Sequence, residues 1–121
     1  MVSQLRTQRI AERIQHDLSE LIITEVSDPR LLGVSITGVK VDRELAFADI
    51  YYSSVEGSHR SAEILDGLNH AKGFLRSTLA KESDLRVFPR LRFHWDPTPE
   101  KAEQLEKIFD RLRQERGEVV Q

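Results

Sequence analysis

Val34-Ser35-Ile36-Thr37-Gly38-Val39-Lys40-Val41, then Asp42-Arg43-Glu44, then Leu45-Ala46-Phe47-Ala48-Asp49-Ile50-Tyr51-Tyr52-Ser53-Ser54 are two alternating runs joined by three polar residues. Runs so closely spaced predict an antiparallel hairpin. Val34 and Ile36 share one parity, Val39 and Val41 the other. The alternation slips at Gly38, which predicts a β-bulge. In the second run Ala46, Ala48, Ile50 and Tyr52 share one face, and Phe47, Asp49 and Tyr51 the other. The first set is placed inward, because Asp49 buried without a partner would be costly. Small alanines on that face let a helix approach closely.

Upstream, Ile10, Ile14, Leu18, Leu21 and Ile22 fall on one stripe of an amphipathic helix expected over Ser3 to Val26. Arg6, Arg9, Arg13 and His16 form a second stripe. Three arginines in the first half of a helix oppose its macrodipole, so an anionic partner becomes a reason for them, beside an ordinary solvated face. Asp28-Pro29-Arg30 ends the helix, since proline moves its predecessor away from helical angles. Arg30 is expected to pair with a nearby acid in a rigid turn, a reading favoured over a contact with RNA backbone.

Downstream, Ser58 is the expected N-cap of a helix with Ala62, Leu65 and Leu68 inward. Gly73 sits inside that pattern, tolerated or marking a break before a second helix that carries Phe74, Leu75, Thr78 and Leu79. Pro89 opens a third strand, with Leu91, Phe93 and Trp95 inward and Arg90, Arg92 and His94 outward. Thr98 is the expected cap of a last helix, with Pro99 at its first position and Ala102, Leu105, Ile108, Phe109 and Leu112 as its stripe. Gly117 ends it, and the final residues are expected to fray. The expected order is α-β-β-α-α-β-α, an α+β domain spanning 1–121, with helices on one face of a three-stranded sheet.

Composition narrows the chemistry. The 121 residues contain no cysteine, which removes disulfides and thiolate chemistry. The four histidines, His16, His59, His70 and His94, include no pair at helical ligand spacing, and HExxH, Walker A and GxGxxG patterns are absent. No metal, cofactor or enzymatic activity is expected. No stretch is long and apolar enough for a bilayer, nor is the start a signal peptide, so a cytoplasmic protein is expected. Net charge is −2, yet His70 to Arg92 holds six bases (Lys72, Arg76, Lys81, Arg86, Arg90, Arg92) against Glu82 and Asp84. A local field of that sign attracts phosphate whatever the total. The expected RNA contacts are Arg6, Arg9, Arg13, Lys72, Arg76, Arg86, Arg90 and Arg92. Phe47 and Tyr51 on the outward face either stack bases or fill the sheet surface. The alternative is a protein–protein adaptor without direct RNA contact.

The ordered set of segments resembles the ribosome-binding factor A family over nearly the whole chain. The carriers are Arg9-Ile10-Ala11-Glu12-Arg13-Ile14, Ile22-Ile23-Thr24-Glu25 leading to Asp28-Pro29-Arg30, and Ile36-Thr37-Gly38-Val39. Leu45 to Tyr51, Ala71 to Arg76 and Leu85 to Phe93 complete it. The resemblance implies a type II KH-like domain with the third strand parallel to the first. It also implies an Ala-x-Gly kink at Ala71-Lys72-Gly73 in place of the GXXG loop. It implies a monomer that binds the small ribosomal subunit and aids maturation of its RNA, especially in the cold. A ribosome-assembly GTPase that releases it is a further implied partner.

Overall fold

The computed structural model describes residues 1–117; the fraying expected at the C-terminus falls on 118–121, outside the described residues. Helix α1 spans Gln4–Thr24, its first turn closed by Ser3 Oγ, which accepts the Arg6 backbone N–H at 3.1 Å. Thr7, Ala11, Ile14, Leu18 and Ile22 are buried along it, at the steps of three and four that one helical face requires. Asp28 then stops the chain. Its carboxylate accepts the Arg30 backbone N–H at 2.9 Å and is gripped by the Arg30 guanidinium. A short 3-10 turn over Pro29–Leu31 follows and drives Leu31 into the core.

Strand β1 (Val34–Val41) pairs antiparallel with β2 (Phe47–Ser54), and the register slips between Ile36 and Gly38. The expected bulge therefore exists, with Thr37 as its extra residue. The second strand begins two residues later than its alternation suggested. Leu45 adopts a left-handed φ of 57°, and Asp42 Oδ1 accepts the Phe47 N–H at 2.8 Å, so the turn claims Leu45 and Ala46. Ala46 is consequently exposed, while Ala48, Ile50 and Tyr52 are buried as expected.

Helix α2 runs unbroken from Ser61 to Lys81. The two expected helices are one, because a single exposed glycine, costing about 1 kcal/mol against alanine, does not outweigh the packed turns on either side. Its N-terminus follows a 3-10 turn at Ser58–Arg60, so Ser58 is not its cap. Its buried face is Ile64, Gly67, Leu68, Leu75 and Leu79, and Ala62 is exposed. Gly67 lets the Pro29–Leu31 turn lie against the helix: a Cβ there would stand 3.0 Å from Leu31 Cδ2.

Strand β3 (Arg90–Trp95) pairs with β2 in parallel, giving the order β1-β2-β3. It therefore runs with the second strand and against the first, which corrects the expected direction. A helix of 21 residues reaches ~32 Å, enough to carry the chain back past the whole of β2 before it re-enters the sheet. The result is an α+β, KH-like architecture with a mixed sheet. One core joins Ile14, Leu18 and Ile22 to Ile64, Leu68, Leu75 and Leu79 over Ala48, Ile50, Tyr52, Leu91 and Phe93.

Helices α1 and α2 cover one face of the sheet. Helix α3 (Thr98–Glu115) departs from the end of β3 and buries none of its residues. Asp96, rather than Thr98, caps it: Oδ1 accepts the Thr98 N–H at 2.9 Å and Oδ2 the Thr37 hydroxyl at 2.7 Å. Gly117 ends it at a φ of 75°. Leu105, Ile108, Phe109 and Leu112 form the expected stripe and remain exposed. No described helix is long and apolar enough to cross a membrane.

Candidate nucleic-acid interface

The α1 arginines stand together because their spacing opposes the buried stripe. Arg6, Arg9 and Arg13 line one side of a cleft of about 200 Å³, with Ile10, Ile14, Leu79, Leu85 and Phe88 below and Asp17, Glu82 and Asp84 around the rim. Arg13 is engaged there, donating from Nε to Asp17 at 2.8 Å. That hydrogen bond raises the arginine further. Among the described residues, Arg6 and Arg9 have no side-chain partner of that kind. Arg6 also borders a neighbouring hollow with Arg86, Leu45 and Glu44. The fold thus brings Arg6, Arg9 and Arg86 to one end of the molecule from positions eighty residues apart in the chain.

Lys72 and Arg76 leave α2 on one side, as their spacing requires, but neither stands free. The Arg76 guanidinium donates from Nε to the Pro89 carbonyl at 3.1 Å and from Nη2 to the Phe88 carbonyl. Arg76 thereby ties the connection before β3 to the helix. The half-buried Lys72 ammonium lies 5.9 Å from the centre of the Phe93 ring. Gly73 is exposed, and nothing lies within 4 Å of where its Cβ would be. Ala71 sits beside the Asp28–Arg30 turn, in a shallow hollow with His70 and Phe74. The helix is not broken at Ala71-Lys72-Gly73.

Arg90 and Arg92 lie on the sheet face away from the helices. Arg92 forks onto Asp49, at 2.8 and 3.0 Å. That hydrogen bond holds the Asp49 carboxyl below the usual carboxylate range. His94 Nε2 meets the same carboxylate at 2.8 Å. The single basic clump expected from His70 to Arg92 is therefore divided. Arg86 joins the α1 end, Lys72 and Arg76 line the flank of β3, and Arg90 and Arg92 face outward. Lys40 on β1 was missed. It lies opposite Asp49 in the register, and only strand pairing, which the sequence does not print, reveals it as a neighbour of that group.

His16, Asp17 and Glu20 bring three possible ligand atoms within 4.8 Å of one another. Asp17 is already held by Arg13 and His16, which pull its carboxyl below the ordinary range against the opposing effect of burial. This is ordinary ion pairing along a helix.

Comparison with known proteins adds a second line of evidence. Residues 6–109 match the family model described as ribosome-binding factor A. The ribosome-binding factor A of Alcanivorax borkumensis is 42% identical over 115 residues, covering 94% of this chain and 84% of that one. The solution structure of a Thermotoga maritima protein described as a putative ribosome binding factor A superposes with a TM-score of 0.68 at 32% identity. It covers 78% of this chain and 90% of that one. A homology model of the Thermus thermophilus factor, fitted into a cryo-EM map of its complex with the 30S subunit, gives a TM-score of 0.59 at 23% identity. That match covers 72% of this chain and 91% of that one.

Proposed function

This chain belongs to the ribosome-binding factor A family, and on that premise we propose that it binds the small ribosomal subunit and assists its assembly without catalysis. The observation that carries the mechanism is the end of the molecule where Arg6, Arg9 and Arg86 converge. Guanidinium groups there meet phosphates of folded ribosomal RNA. Such contacts add affinity and salt dependence without reading sequence. Shape supplies selectivity, because structured RNA is recognised largely by its form. The Thermus relative seated on a 30S subunit supports the choice of partner.

On this reading the protein acts in the cytoplasm as a monomer. It aids maturation of small-subunit RNA, with demand greatest in the cold, and a ribosome-assembly GTPase is the partner that releases it. The exposed stripe of α3 favours a second reading, an adaptor that grips protein. Pull-down with and without nuclease separates the two, since an adaptor keeps its partner once RNA is removed.

The test is co-sedimentation with purified small subunits. Replacing Arg6, Arg9 and Arg86 together by alanine should weaken binding at least tenfold while leaving the unfolding temperature within a few degrees. Arg76 is unsuitable for this test, because its loss would loosen the fold itself. Unchanged affinity in the triple variant would remove this surface from the mechanism.

A further inference from the structure

The open face of the sheet carries an ordered array of rings and cations. The register sets Phe47 beside Arg90, Asp49 beside Arg92 and Tyr51 beside His94, with Lys40 opposite Asp49. The Arg92 guanidinium carbon lies 3.9 Å from the centre of the Phe47 ring, while the fork onto Asp49 fixes its other edge. The same carboxylate holds His94, whose ring centre is 5.3 Å from that of Tyr51 with 34° between planes. The Lys40 ammonium stands 5.6 Å from the Tyr51 ring. Two flat positions result, Phe47–Arg92 and Tyr51–His94, about 13 Å apart along β2 at the usual strand rise.

These groups are held yet accessible: the Arg92 and His94 side chains are 49% and 44% exposed. Asp49 neutralises Arg92, and Asp42 adds negative charge at the hairpin end, but Lys40 and Arg90 form no ion pair within 4 Å among the described residues. A face meant only to stay wet has no need of rings fixed beside guanidinium and imidazole groups. A face meant for a protein core would offer aliphatic area, and among the described residues the outward positions of β2 and β3 from Phe47 to Tyr51 and from Arg90 to His94 carry no aliphatic side chain. Flat groups flanked by cations that lack a carboxylate partner suit a planar base on an anionic backbone.

We propose that this face binds unpaired nucleotides. One base stacks at Phe47–Arg92 and another at Tyr51–His94, while Lys40 meets the phosphate between them and Arg90 a phosphate beside the Phe47 position. The proposal rests on the reading that the partner is RNA, but it concerns another surface and another form of RNA than the arginine end. Unpaired stretches are where sheet aromatics stack bases in other RNA-binding modules.

The test uses the full chain, fluorescently labelled single-stranded oligo(A) and oligo(U), and a duplex RNA of equal length, read by anisotropy and by amide chemical shifts. The expected result is binding of the single strands, with shifts centred on Phe47, Tyr51 and His94, and weaker response to the duplex. Phe47→Leu and Tyr51→Leu should each weaken single-strand binding about tenfold or more, as loss of one stacked base predicts. Lys40→Ala and Arg90→Ala, on exposed positions the core does not use, should weaken it several-fold and leave the unfolding curve in place. Single strands that leave these amides unmoved, or affinities unchanged in all four variants, overturn the proposal. Wild-type protein that sediments with subunits yet ignores the oligonucleotides refutes this inference alone. Wild type that fails to sediment with subunits refutes the functional reading instead. Loss of subunit binding in the leucine variants without any oligonucleotide binding by wild type would assign the face to protein, and also overturns the proposal.

Discussion

Arg76 and Gly73 sit three residues apart on α2 and show how one side chain, or its absence, sets local stability. Arg76 donates to two backbone carbonyls of the connection before β3. Arg76→Ala leaves part-buried acceptors without donors, an expected loss of about 1–3 kcal/mol, visible as a lower urea midpoint. Gly73 has open space where a Cβ would stand. Gly73→Ala should therefore stabilise the protein by about 1 kcal/mol, the helix propensity difference. A lower unfolding temperature in that variant would mean the glycine serves a backbone geometry that alanine cannot adopt. Asp49 supplies a pH prediction. Its hydrogen bond from Arg92 depresses its folded-state pKa, so the stabilisation is present above the unfolded carboxylate pKa of about 3.9. It fades as pH falls through the lower folded value. Urea midpoints at neutral pH and near pH 3 should differ less in Asp49→Asn than in wild type. An equal difference in both would show that the pair does not contribute to acid sensitivity.

At the scale of elements, periodicity is a sound guide wherever packing alone decides. Helix α1, the strand Val34–Val41, its bulge and the strand Arg90–Trp95 all follow the apolar pattern. The departures have local causes. The start of β2 is displaced by a turn whose stabilising bond comes from the Asp42 side chain and whose Leu45 adopts a conformation unfavourable for a branched residue. The break expected at Gly73 is absent because tertiary packing of Leu68, Leu75 and Leu79 spans it. The direction of β3 follows from α2 being one long crossover, which the expected break at Gly73 concealed. Among the proposed contacts, the grouping of the α1 arginines on one side of the helix was legible from their stripe. The commitment of Arg76 to carbonyls was not, since backbone acceptors leave no trace in side-chain spacing. Gly67 supports an element-scale prediction. Gly67→Ala should force the Pro29–Leu31 turn away from α2, because its Cβ would meet Leu31 and Arg30 at 3.0 and 3.3 Å. Lower thermal stability is expected despite alanine's better helix propensity, and a rise would show that the turn gives way freely.

For the molecule as a whole, the fold separates two roles. Burial of one sheet face under α1 and α2 supplies the core, and charge is distributed over the remainder. A net charge of −2 is compatible with phosphate binding because Arg6, Arg9 and Arg86 converge at one end while Arg90 and Lys40 face out from the sheet. The central claim is that the guanidinium groups of Arg6, Arg9 and Arg86, rather than the total charge, hold the small subunit, although Glu44, Glu82 and Asp84 line the same hollows. The most direct test is the salt dependence of subunit affinity, measured by co-sedimentation for wild type and for the Arg6, Arg9, Arg86 triple alanine variant. Wild type should lose affinity steeply as salt rises. The variant should show a shallower slope, by roughly one unit of log affinity per log salt for each phosphate that it no longer neutralises. Parallel slopes with equal affinities would contradict the account.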